Sequence, residues 1–66
     1  MSLSQNQRDK IAIRTVLTQM GRTTFQHIAL RAGEGLASPL MEMVQSGEVV
    51  KTAGQDGEPT TYAMSA

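Results

Sequence analysis

The 66 residues include no cysteine and no tryptophan, 39% of them are hydrophobic, and the formal net charge is zero. A chain this short buries only about 60% of its extended surface on folding, which excludes a multidomain enzyme, and without cysteine there is neither a disulfide staple nor a thiolate metal site. No stretch approaches the roughly 20 apolar residues of a bilayer span.

The opening Met1-Ser2-Leu3-Ser4-Gln5-Asn6-Gln7 lacks the apolar run of a leader. A cytoplasmic protein is expected, with a disordered tail over residues 1–7 and one domain over residues 8–64. The neutral total hides a division. Residues 1–33 hold Arg8, Lys10, Arg14, Arg22 and Arg31 against Asp9 alone, and residues 34–66 hold Glu34, Glu42, Glu48, Asp56 and Glu58 against Lys51 alone. Such a split suits a basic face for a polyanion, or the docking of one face of the chain on the other face of a second copy.

Along the chain, Ile13, Val16, Leu17 and Met20 recur at helical spacing, which predicts a helix from about Gln5 to Met20 that ends at Gly21. Ile11 and Ala12 edge its stripe. A second helix follows. Thr23 with Gln26 three residues on reads as a capping box, Phe25, Ile28, Ala29 and Ala32 form the apolar stripe, and Gly33 closes it. A third helix runs from Leu36 or Pro39 to Ser46, with Leu36, Leu40, Met43 and Val44 inward. Its start is open: Ser38-Pro39 reads as a cap and first turn, whereas Leu36 sits one turn earlier in register. The period then changes. Glu48–Thr52 and Thr60–Met64 are β-branched or aromatic runs joined through Asp56-Gly57, the signature of a hairpin. Val49, Tyr62 and Met64 are expected to close the core, with Val50 outside.

Thr24-Phe25-Gln26-His27-Ile28-Ala29-Leu30-Arg31-Ala32-Gly33, followed by Leu36, Leu40, Met43, Gly47-Glu48-Val49-Val50 and Tyr62, resembles the pattern of small bacterial winged-helix regulators. The resemblance covers about residues 8–64. It implies an α+β fold of three helices followed by a two-stranded antiparallel β-hairpin, with the third helix as recognition helix and the hairpin as wing. The small ferrous-iron-transport regulators share this layout but carry a cysteine cluster in the wing, which this chain lacks, so a metal-sensing role gains no support.

The expected function is that of a small, non-catalytic, DNA-binding transcriptional regulator whose partner is double-stranded DNA, bound as one copy or as a homodimer on a symmetric site. Arg22, Thr23 and Thr24 at the start of helix two form the best phosphate contact, Arg31 and Lys51 add backbone clamping, and Lys10 and Arg14 add steering. On the third helix Ala37, Ser38, Met41, Glu42 and Gln45 point outward. Gln45 suits adenine, Ser38 a phosphate or base edge, and Ala37 and Met41 thymine methyl groups, while no cation is present for guanine. The alternative is a winged-helix protein-interaction module that turns Ala37, Met41 and Leu30 toward a polypeptide. The neutral total and the acids Asp56 and Glu58 in the wing favour that alternative. His27, the only histidine, is expected on the exposed side of helix two. Without a second ligand it makes no metal site, and no cofactor or catalytic constellation is expected.

Overall fold

The computed structural model describes residues 3–65. Helix α1, Gln5–Met20, begins with a capping box: Ser4 Oγ accepts from the backbone N–H of Gln7, and Gln7 Oε1 accepts from the backbone N–H of Ser4, both at 3.1 Å. The helix begins at Gln5 as its apolar spacing predicts, so residues 5–7 belong to its first turn and not to a tail ending at residue 7, and Met1 and Ser2 lie outside the described residues. Ile13, Val16 and Leu17 are buried as their spacing predicts. Met20 is not. It stands in the last turn, past the end of the core, with Gly21 at φ 74° turning the chain away.

Three further features complete the helical half. Strand β1, Thr23–Thr24, leads directly into helix α2, Phe25–Ala32. The cap of α2 is Thr24, which accepts from the N–H of His27, and not Thr23 paired with Gln26 as the sequence pattern suggests. The shift of one residue follows from the sheet, because Thr23 is recruited into β1 and Thr24, still extended, is left at the helix boundary. Helix α3, Ala37–Gln45, starts after Leu36, whose side chain is buried rather than capping. Pro39 thereby falls within the first turn, where backbone N–H groups have no helical acceptor and its missing donor costs nothing.

At the far end of α3, Gly47 at φ 85° and the bonds Gly47 N–H to Val44 O (3.1 Å) and Glu48 N–H to Met43 O (3.0 Å) form a Schellman motif. This closure feeds the chain into strand β2, Val49–Thr52, which pairs antiparallel with β3, Thr61–Met64, in the register Val49 to Met64 and Thr52 to Thr61. Between them, Asp56 (φ 53°) and Gly57 (φ 85°) are both left-handed, and Glu58 N–H donates to Gln55 O at 3.0 Å, a type I′ turn.

The hairpin is not alone. Thr23 pairs with Tyr62 and Thr24 with Thr61, so the sheet has three strands in the order β1-β3-β2, where two were expected. The described residues thus form a small α+β domain of three helices and a three-stranded antiparallel sheet. Its core gathers Ile13, Val16 and Leu17 from α1, Ile28 from α2, Leu36, Leu40 and Met43 around α3 and Val49 from β2, flanked by Phe25, Ala32, Val44, Tyr62 and Met64. Val50 lies outside, as expected.

Candidate nucleic-acid interface

The polar residues singled out in the sequence separate into two groups once the charges are paired. On one side of the domain, α1 is tied to the acidic half of the chain. Lys10 Nζ lies 3.2 Å from Glu42 Oε1, and Asn6 Nδ2 donates to the same carboxylate at 3.1 and 3.3 Å. Arg14 makes a two-pronged contact with Glu48, Nε to Oε2 and Nη2 to Oε1. The Asn6 amide and the Lys10 ammonium hold Glu42 below the ordinary carboxylate value. Arg14 does the same for Glu48, whose carboxylate in turn raises Arg14. The basic half and the acidic half therefore meet within one chain. Lys10 and Arg14, expected to steer a polyanion, spend their charge on Glu42 and Glu48.

The other cations remain exposed. Arg8, Arg22, Arg31 and Lys51 have no ion-pair partner among the described residues. Arg22 precedes β1 and Arg31 occupies the last turn of α2, where it also complements the helix dipole. Helix α2, eight residues long, spans about 12 Å at 1.5 Å per residue, with Arg31 in its last turn and Arg22 two strand residues before its start. Thr24 is partly exposed at the helix start. Thr23, expected to join Arg22 and Thr24 against phosphate, is 5% exposed. Its place in β1 turns it inward, and its Oγ1 lies 3.2 Å from His27 Nδ1.

Helix α3 presents Ala37, Ser38, Met41, Glu42 and Gln45 to the outside, as the helical spacing predicts. Of these, Ala37 and Met41 line an apolar groove of about 310 Å³ together with Phe25, Leu40, Val44, Tyr62 and Lys51. Strand β2 thus brings Lys51 to the same depression as the exposed side of α3, and Ser38 and Gln45 stand outside it. The groove was not legible in advance. Phe25 and Tyr62 read as core residues, and the long-range pairing of β3 with β2, where Tyr62 stands opposite Lys51, and with β1, which leads into Phe25, gathers them at the groove beside α3. Among the described residues no group of three or more histidine, aspartate or glutamate side chains is arranged to hold a metal ion, and no helix is long and apolar enough to cross a membrane.

No protein-family model matches the chain, and no curated protein or solved structure matches it at a significant level.

Proposed function

We propose that this domain is a winged helix and that it acts, without catalysis, as a cytoplasmic DNA-binding transcriptional regulator. The observation that carries the reading is the order of elements around the sheet. β1 lies between α1 and α2 in sequence and pairs with the outer side of β3, and the hairpin follows α3 directly. That arrangement leaves α3 with an uncovered face beside a hairpin wing, the geometry with which helix-turn-helix domains enter a major groove. Arg22, Arg31 and Lys51 supply unpaired cations for the backbone, Thr24 adds a hydroxyl at a helix start, and Ala37, Ser38, Met41 and Gln45 face the bases. Two copies on a palindromic site would double a contact area that is small for one module.

The test is a titration of labelled random-sequence duplex DNA over a range of salt concentrations. Three backbone cations predict a slope of log K against log[salt] of about −3. The double variant Arg22→Ala, Arg31→Ala should reduce that slope to about −1. Absence of binding at low salt refutes the reading.

A second reading, a module that binds a polypeptide, is favoured by the apolar groove with Met41, Phe25 and Tyr62 in its walls and by the high exposure of Leu30. It predicts no salt-dependent association with duplex, and loss of a peptide ligand when Met41 is made charged.

A further inference from the structure

Glu42 is the only ionisable side chain on α3, and it is exposed but engaged from α1. Its carboxylate is occupied by Lys10 and by Asn6, both reaching over from α1. The rest of the exposed face of α3 consists of Ala37, Ser38, Met41 and Gln45. Ala37, Met41 and Gln45 recur every four residues, so they form one slanting row about 12 Å long, which spans three to four base pairs at about 3.4 Å each.

We propose, resting on the DNA-binding reading above, that this row selects A·T base pairs through the major groove. Each base pair shows a distinct edge there. Thymine offers a C5-methyl group, which Ala37 and the Met41 side chain can cover with apolar atoms. Adenine offers N6–H as donor and N7 as acceptor, which the Gln45 side-chain amide matches with its own acceptor and donor. Guanine offers two acceptors, O6 and N7, and is best met by the paired donors of arginine or by lysine; α3 has neither, and Lys51 stands on β2. Cytosine offers an N4 donor, best met by a carboxylate, and the one carboxylate on the helix is held by Lys10 and Asn6. The α1–α3 contact thus does more than join two helices. It engages the carboxylate that would otherwise accept from cytosine N4, which biases the helix away from a G·C pair.

The experiment is a competition measurement at low salt with four duplexes of equal length, in which the central base pairs are A·T, G·C, A·U (deoxyuridine replacing thymidine) or I·C. Inosine paired with cytosine shows the major-groove edge of G·C but lacks the guanine N2 amino group, so its minor groove resembles that of A·T. The expected preference for A·T over G·C is between about five-fold and about 160-fold for each base pair read by a two-pronged contact. The I·C duplex should bind as weakly as G·C. Each thymine methyl removed in the A·U duplex should cost about three- to fourfold. Gln45→Ala should reduce the preference for A·T over G·C by about the factor that one two-pronged contact supplies.

If the I·C duplex binds as well as A·T, the selection comes from the minor groove or from DNA shape and the proposal is overturned. Equal affinity for all four duplexes overturns it too, while the domain stays a binder of DNA backbone. Failure to bind any of them at low salt overturns the DNA-binding reading itself, together with this inference.

Discussion

Ile28 joins the core from the short helix α2 and is 0% exposed, while Leu30, two positions along the same helix, is 76% exposed. Replacing each with alanine removes a comparable amount of apolar side chain from opposite environments. For Ile28→Ala the loss combines transfer of the deleted carbons with the cavity left among its core neighbours, about 2–5 kcal/mol. For Leu30→Ala the expected change lies within about 0.5 kcal/mol of zero. At about 0.05–0.15 kcal/mol per residue, a domain of this length has only about 3–10 kcal/mol of stability, so Ile28→Ala alone removes a large part of it. The assay is urea denaturation followed by far-ultraviolet circular dichroism. With a slope near 1 kcal/mol per molar urea, the low end for small proteins, Ile28→Ala should lower the midpoint by at least about 2 M or leave the chain unfolded in buffer. Leu30→Ala should superimpose on the parent. Equal midpoints for the two variants would mean that α2 presents its other face to the core, and the packing described above would be wrong.

Other perturbations separate the remaining contacts. Thr24→Ala should cost about 1 kcal/mol as the loss of a helix cap, whereas Thr23→Val, which keeps the β-branched shape in β1, should cost less; chemical denaturation of the two variants decides which threonine caps α2. Gly54→Ala would put a Cβ onto the backbone carbonyl of Glu58 and within 2.8 Å of Pro59 O. Its amide spectrum should change over residues 52–61 while the helical amides stay in place, and an unchanged hairpin would contradict the close backbone approach. Glu42 and Glu48 have lowered folded-state values relative to the ordinary 4.5, so their contribution is present above about pH 4.5 and is lost as the pH falls through the lowered values. Urea midpoints measured from neutral pH down to about pH 3 should therefore fall, and Glu48→Gln should start lower at neutral pH and decline less.

Much of the architecture is written in local spacing. The Ile13, Val16, Leu17 stripe and Gly21 mark α1, and the β-branched runs around Asp56-Gly57 mark the hairpin, because in each case the signal and the structure lie within a few residues of each other. Strand β1 escapes that logic. Two threonines have no periodicity, and their extended state comes from pairing with Tyr62 and Thr61 nearly 40 residues later. The same distance hides the ion pairs: the charge division between the two halves is plain in the sequence, but only the packing of α1 on α3 shows that Lys10 meets Glu42 and that Arg14 meets Glu48 within one chain. The outward face of α3 was legible from its four-residue repeat. That Lys51 joins it in one groove was not, since alternation puts Lys51 on the face of Val49 but does not say that the far end of that face lies beside α3.

The proposed surface for duplex DNA is built from α3, the start of α2 and Lys51. A titration of the isotopically labelled protein with a short duplex at low ionic strength, followed through backbone amide chemical shifts, tests it most directly. Perturbations should concentrate at residues 22–24, at Arg31, over residues 36–45 and at Lys51, weakening together as salt is added. Shifts confined to the outer side of α1 around Ile11, Thr15 and Thr18, or no shifts at all, would contradict it.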